Sequence, residues 1–295
     1  MRHLMPKYVV LMPARNAEST IESAITSTLR AFPKDSHIAV WDDASEDRTK
    51  DVAEAFHNRR VSVLATPESV GSGAARQRLL EATDSEFVVI QDADDISLPW
   101  RSRLQSRHLS AADFSFANTQ RFSQRHLIHK PSLPLNYNTT DVPLALIFHN
   151  PLAHSTMIAR RSALMEIGGY SDSKVAQDYE MLLRAASFGK RIVRSAVPTV
   201  LYRMSPTQIS KQIDYGERII NSKVIRSSYD RNLERQLFGT DTNSRLSISM
   251  SGTIPQTTLD NVQPLIDRMS RQLRPYYRHL LQNQRLGYLP AHVLT

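Results

Sequence analysis

Phe87-Val88-Val89-Ile90-Gln91-Asp92-Ala93-Asp94-Asp95 is a run of four apolar residues followed almost at once by three acids in four positions. The apolar half has no residue suited to face water. It predicts a strand buried on both sides, as in a parallel sheet covered by helices. Acids standing just past such a strand are badly placed for simple solvation. They repel one another unless a cation or water lies among them, and strand alternation projects Asp92 and Asp94 to the same side while the chain stays extended. Oxygen-only ligands suit Mg²⁺ or Mn²⁺, which makes Asp92, Asp94 and Asp95 candidate metal ligands able to manage a diphosphate. The plainer reading is an acidic turn with an Asp capping the helix at Pro99.

Working back from that run, short β-branched segments alternate with helical patterns. Tyr8–Met12, His37–Trp41 and Val61–Ala65 read as strands. Between them lie a helix with Ile21, Ala24, Ile25, Leu29 and Phe32 on one face, a helix over Asp47–His57, and another over Gly73–Ala82. The β-α-β-α order implies right-handed crossovers, with a site at the carboxyl ends of the strands. Each of those ends carries polar chemistry: Pro13-Ala14-Arg15-Asn16, then Asp42-Asp43, then Asp92–Asp95. Loops at one edge of a sheet converge even when far apart in sequence.

Working forward, the pattern is less regular. Asp113–Phe122 alternates like a strand, Leu144–Phe148 is a short apolar segment, and Ser155–Ala159 is strand-like. Gln177–Phe188 reads as a helix stopped by Gly189, and Arg191–Met204 as extended chain. Pro206 breaks the chain, and a helical segment then runs to about Phe238. The stretch 239–261, rich in Thr, Ser and Asn, reads as a polar linker. A last helix over Val262–Gln284 places Val262, Leu265, Ile266, Met269, Leu273, Tyr276 and Leu280 on one side, with Arg268, Arg271, Arg274, Arg278 and Arg285 nearly opposite and a kink at Pro275. These patterns suggest a catalytic domain over 1–210 and a helical C-terminal extension over 211–295.

Composition narrows the possible functions. The 295 residues are 41% hydrophobic and 22% charged, ordinary values for a folded chain, and cysteine is absent, which removes disulfides and thiolate metal sites. The formal charge of +8 is uneven: 24 Lys+Arg against 22 Asp+Glu in residues 1–200, but 13 against 7 in 201–295. A basic tail can meet anionic lipid, nucleic acid or an acidic acceptor, or simply serve solubility. Arg2, His3 and Lys7 before Tyr8–Met12 mimic a signal peptide, but the apolar core is too short, and Pro13 and Arg15 interrupt it. No stretch approaches the length of a membrane span. The expectation is a cytoplasmic protein, with peripheral contact at the inner face of the membrane through its basic C-terminal region.

Four segments, in order, then carry a resemblance. Pro13-Ala14-Arg15-Asn16-Ala17, Trp41-Asp42-Asp43-Ala44-Ser45-Glu46-Asp47, Val70-Gly71-Ser72-Gly73-Ala74-Ala75-Arg76-Gln77 and Asp92-Ala93-Asp94-Asp95 together resemble the nucleotide-binding half of the inverting family 2 glycosyltransferases. The resemblance implies the GT-A type α/β fold, a mostly parallel central sheet flanked by helices. It implies that Asp43 hydrogen-bonds the base, uracil by expectation, that Pro13 and Arg15 line the same pocket, and that Arg76 approaches the donor phosphates. Asp92 and Asp94 then serve donor and metal together. Gln177-Asp178-Tyr179-Glu180-Met181-Leu182-Leu183-Arg184 resembles the family's Glu-Asp-x-x-Leu-x-x-Arg helix, so that Asp178 becomes the catalytic base. A helix N-terminus lowers a carboxylate's pKa, which makes such a base weak until the acceptor hydroxyl acidifies. His154 stands where the family often has a histidine and is a candidate contact to acceptor or donor sugar.

The sequence departs from the family at three places. Gln77 replaces an Asn, Gln177 replaces a Glu, and Met204 and Ser205 occupy a stretch where relatives place a histidine. The activity implied is transfer of a sugar from a UDP-sugar to a glycan or lipid-linked acceptor hydroxyl, with inversion and with Mn²⁺ or Mg²⁺, in cell-surface polysaccharide or glycoconjugate synthesis. Two other classes compete. A sugar-nucleotide-forming nucleotidyltransferase would want a Gly-rich basic phosphate loop after the first strand, which Pro13–Ala17 does not supply. A basic nucleic-acid-binding protein is disfavoured because acids at the strand ends repel phosphate. Dinucleotide binding fails too, since Gly71–Arg76 does not follow the first strand and ends in Arg76.

Overall fold

The apolar runs of the first hundred residues form strands β1 (Tyr8–Ala14), β2 (Ser36–Asp43), β3 (Val61–Thr66) and β4 (Phe87–Ile90), separated by helices α1 (Ile21–Ala31), α2 (Thr49–Glu54) and α3 (Ser72–Ala82). The computed structural model describes residues 5–123, 133–204, 215–239 and 263–282. β1 pairs in parallel with β2 on one side and β4 on the other, and β2 pairs in parallel with β3. The order β3-β2-β1-β4 therefore reverses direction between β1 and β4. That is the switch point of an open α/β sheet, outside whose carboxyl ends ligands bind. All four residues of β4 are buried, as a strand covered on both faces requires. Val10, Met12, Ile38, Val40 and Val89 pack with Ile21, Ala24 and Ile25 of α1 in one apolar cluster. Each buried aliphatic side chain of this kind contributes about 1.5–3 kcal/mol.

Beyond β4 the sheet continues with antiparallel strands. β5 (Ile96–Ser97), helix α4 (Arg101–Ser106), β6 (Phe114–Phe122), β7 (Ile158–Arg160) and β8 (Ile192–Arg203) complete an eight-stranded order β3-β2-β1-β4-β7-β6-β8-β5. The segment read as strand over Ser155–Ala159 divides into a 3₁₀ turn, His154–Thr156, and β7. The apolar stretch Leu144–Phe148 begins inside a short helix, α5 (Asp141–Ala145), and helix α6 (Arg161–Glu166) follows β7.

The described chain forms two units. The first comprises Met1–Pro134, Leu152–Asp172 and Ser195–Met204 and holds the sheet; the second comprises Leu135–Pro151, Ser173–Arg194 and Ser205–Thr295. This differs from a single boundary near residue 210, because two segments from the middle of the chain pack with the C-terminal helices rather than with the sheet. In the second unit, α7 (Gln177–Ser187) is joined by α8 (Tyr215–Ile220), α9 (Lys223–Phe238), α10 (263–268) and α11 (Arg274–Gln282). Side chains fasten these helices: Tyr179 Oη donates to Leu146 O at 2.6 Å, Asn232 Nδ2 to Pro143 O at 3.0 Å, and Tyr229 Oη to Ile147 O at 2.9 Å.

The expected single kinked helix over Val262–Gln284 is two helices. Pro275 lies in the first turn of α11, where its missing N–H has no helical acceptor to lose. Leu265, Ile266, Met269, Leu273 and Leu280 are buried, with Tyr277 rather than Tyr276 as the buried aromatic. Arg268, Arg271 and Arg278 are exposed. The apolar side is thus covered. Val262, Arg285, the linker 240–261 and the helical start expected over 205–214 lie outside the described residues. Among the described residues no helix is long and apolar enough to cross a membrane.

Candidate active site

The loops after β1 and β2 are tied together by their own polar atoms. Asn16 N–H donates to Ser45 Oγ at 3.0 Å, Glu46 N–H to Asn16 Oδ1 at 2.9 Å, and Ala17 N–H to Thr49 Oγ1 at 2.7 Å. Asn16 and Ala44 both adopt left-handed backbone, with φ of 50° and 56°. Such conformations in non-glycine residues persist where surrounding contacts over-determine them, and they gather at functional sites.

Asp43, at the end of β2, accepts three hydrogen bonds from the loop before α3. Oδ1 accepts from Val70 N–H at 2.7 Å, and Oδ2 from Ser69 Oγ at 2.7 Å and Gly71 N–H at 2.9 Å. Arg15 Nη1 donates to the same Ser69 Oγ at 2.8 Å, which joins the β1 loop to this arrangement. Pro13 lies half-buried beside Trp41 in register. A cleft of about 660 Å³ opens here, with Arg15, Asp42, Ser45, Lys50, Thr66 and Ser69 in its wall. Asp42 is 5% exposed, and its Oδ1 is buried without a hydrogen-bond partner. The motif reading passed over Asp42, although alternation puts one member of any adjacent acid pair on each face of a strand.

At the end of β4 the three acids differ. Asp92 is paired with Arg76, Nη2 to Oδ1 at 2.7 Å, so in this structure the arginine expected at the donor phosphates lies on a carboxylate. Asp94 is half-buried; burial, and then the charge of Asp92, raise its pKa to about 6. Asp95 is 1% exposed, and its Oδ1 accepts Arg203 N–H at 2.9 Å. Burial first, then Asp92 and Asp94, push its pKa well above the usual carboxylate range. Arg203 also donates from Nε to Asp94 O at 2.8 Å and lies 4.6 Å over the ring of Phe122.

Among the described residues no group of three or more His, Cys, Asp or Glu is placed to hold a metal ion. That leaves room for Mg²⁺ or Mn²⁺ in a nucleotide site, where one or two carboxylates suffice and phosphate oxygens and water complete the shell. Asp92 and Asp94, two carboxylates one residue apart, supply the oxygen donors such an ion takes, with Asp94 raised by burial and then by the charge of Asp92.

His154 lies in the first unit with its Nε2 2.9 Å from Tyr170 Oη. Burial, and then Arg76, hold its pKa well below 6.5, so the ring is neutral near pH 7. Gln77, at the family's Asn position, accepts Tyr170 N–H on Oε1 at 2.8 Å and fills the space beside Gly169, whose φ is 65°. Asp178 belongs to the second unit. It is the second residue of α7, half-buried, and its Oδ2 accepts from Asn150 Nδ2 at 3.2 Å. Just before it, Ala176 adopts left-handed backbone with φ of 45°.

Known proteins share the sequence and the fold of this chain in part. The chain is 28% identical over 193 residues to the amylovoran biosynthesis glycosyltransferase AmsE of Erwinia amylovora, covering 64% of this chain and 70% of that one. It is 29% identical over 107 residues to the UDP-Glc:alpha-D-GlcNAc-diphosphoundecaprenol beta-1,3-glucosyltransferase WfgD of Escherichia coli, covering 36% of this chain and 42% of that protein. Among solved structures, S. aureus TarS 1–349 in complex with UDP-GlcNAc superimposes with a TM-score of 0.60 at 17% identity, over 95% of this chain and 88% of that one, a likeness of fold. The Glycosyl transferase family 2 model matches residues 9–168, a span that takes in the ends of β1, β2 and β4, and the chain belongs to that family of sugar-transferring enzymes.

Proposed function

We propose that this enzyme moves a sugar from a UDP-sugar to a hydroxyl of a glycan or lipid-linked saccharide, with inversion at the sugar carbon. The observation that carries the reading is the placement of the cleft at the ends of β1 and β2, and of Asp92 and Asp94 at the end of β4, around one switch point of the sheet. WfgD, whose name records a UDP-glucose donor and a diphosphoundecaprenol-linked acceptor, and TarS, solved with UDP-GlcNAc, support this choice of donor and acceptor class.

In this reading the nucleoside lies in the cleft. Asp43 holds Ser69 of the wall together with the Val70 and Gly71 backbone beside it, and its Oδ1, with one donor already bound, keeps a lone pair for a base N–H. Asp92 and Asp94 would hold a divalent cation, whose chemistry is to neutralise the diphosphate as it leaves. Asp95 serves the same loop from inside through Arg203. Asp178 takes the acceptor proton, worth about 10²–10⁴ in rate for general-base assistance. A lipid-linked acceptor would bring the enzyme to the inner membrane surface, where the exposed Arg268 and Arg271 favour anionic headgroups by charge.

Thermal shift with a panel of nucleotide-sugars, each with Mn²⁺, Mg²⁺ or EDTA, tests this. Selective stabilisation by one UDP-sugar in the presence of metal is expected. Asp94→Ala should abolish the metal-dependent part, and Asp178→Asn should abolish transfer while donor binding stays nearly intact. A panel without any UDP preference would remove the donor assignment, and a fully active Asp178→Asn the base.

A further inference from the structure

Two side chains outside the family motifs lie beneath the acid loop. Gln91 is fully buried, and its Nε2 donates to Asp92 O at 3.1 Å and Asp95 O at 2.9 Å, closing the turn that carries the acids. Its Oε1 accepts from Ser97 Oγ at 2.6 Å and from Arg101 Nη1 at 2.7 Å. Arg101, also fully buried, donates from Nη1 to Ser97 Oγ at 3.0 Å and from Nη2 to Ile90 O at 2.7 Å and Ser155 O at 2.8 Å, while its buried Nε–H has no hydrogen-bond partner and its guanidinium lies 5.6 Å over Phe32. Both ends of the loop, Ile90 and Ser97, and its middle, through Gln91, are therefore held by one guanidinium.

A buried cation is unfavourable unless it has both hydrogen-bond partners and a counter-charge. The carbonyls and Gln91 supply the first, and Asp95 and Asp92 the second. Burial lowers the Arg101 pKa to about 9, which leaves the side chain protonated at neutral pH. The arginine is thus kept charged inside the protein, where it meets Asp95 and Asp92 and offsets the repulsion between them.

We propose that Arg101 and Gln91 are positioning residues for the cation-binding carboxylates, fixing the turn on which Asp92 and Asp94 stand and offsetting its negative charge from below. The proposal rests on the reading of Asp92 and Asp94 as cation ligands. Neither residue touches ligand; they act as the outer partners that orient metal ligands, whose loss costs about 10–100-fold in metal affinity.

The test uses the full chain with Gln91→Met, which keeps length but removes the amide, Arg101→Met, and Arg101→Lys, which keeps charge but not the fork. UDP binding is measured by calorimetry across a Mn²⁺ series and in EDTA. Gln91→Met and Arg101→Met should raise the Mn²⁺ needed for half-maximal binding about tenfold, and change UDP affinity in EDTA by less than about twofold, with Arg101→Lys between them and wild type. Amide exchange over residues 91–97 should quicken about tenfold in Gln91→Met. A folded Gln91→Met with wild-type Mn²⁺ requirement and wild-type exchange overturns the proposal, as does equal loss of UDP affinity with and without Mn²⁺. If Arg101→Met does not fold, Gln91→Met decides. If wild-type UDP binding ignores Mn²⁺, the metal reading falls by itself, and the exchange measurement still decides whether these residues hold the loop.

Discussion

Ala44 carries its methyl group in left-handed backbone, φ 56°, directly after Asp42 and Asp43. An L-residue there costs about 1–2 kcal/mol, because Cβ crowds the following carbonyl oxygen. The turn holds that shape because Asn16 and Ser45 pin its two sides. Ala44→Gly should therefore stabilise the fold by about 1 kcal/mol, partly offset by the greater freedom of glycine in the unfolded chain. A urea melt shows this as a higher midpoint at unchanged slope, and a lower midpoint would mean the turn is not strained. The acids around it were legible in sequence because charge directly after a buried strand has few structural uses. Arg101 and Gln91 were not. An arginine opening a short helix reads as a solvated face, and only the tertiary fold turns it inward beneath the loop. The Arg76–Asp92 pair was equally hidden, since its partners lie on different elements.

At the scale of elements, the apolar runs and the spacing between them located β1 to β4 and α1 to α3, and β4 covers Phe87–Ile90 as its unbroken apolar run predicts. It was less informative where elements are shorter than their own period. Strand β5 has two residues, and α4 and α6 six each, too few to display a face. Nor could it show that Leu135–Pro151 packs with the C-terminal helices, since those partners lie far apart in sequence. The same tertiary contact decides which tyrosine of the C-terminal helix is buried. Tyr277 is fully buried, its ring 5.0 Å from Phe148 and 5.6 Å from His149, while Tyr276 is half-buried. Tyr277→Ala should cost about 3–5 kcal/mol, the range for a large aromatic removed from a core. Tyr276→Ala should cost roughly 1 kcal/mol or less. Chemical unfolding of the two variants compares them directly, and the reverse ranking would mean α11 docks with a different side.

For the whole molecule, the consequence of the acid loop is a pH dependence with unusual sign. Most carboxylates in folded proteins titrate below their unfolded value, so acid destabilises. Here burial, and then the neighbouring acids, raise Asp94 to about 6 and Asp95 well above 3.8. An acid whose pKa is higher folded than unfolded holds its proton preferentially in the folded chain. Its contribution to stability is complete below the unfolded value near 4 and is lost as pH rises through the folded value near 6. Because the acids interact, they titrate as a coupled set, so the loss spreads over that window rather than marking one residue. Cation binding needs the ionised acids and so opposes this loss over the same window. Melting temperatures taken at pH 5, 6 and 7 with UDP, in EDTA or in Mn²⁺, should show the gap between the two conditions widening with pH. Other groups, histidines included, titrate in this range too, and Asp94→Asn separates them by removing the acid while keeping its shape. In that variant the gap should be smaller and nearly independent of pH. A wild-type gap that stays constant or narrows from pH 5 to 7 would mean that the raised acids of the β4 loop are not the ones that meet the cation.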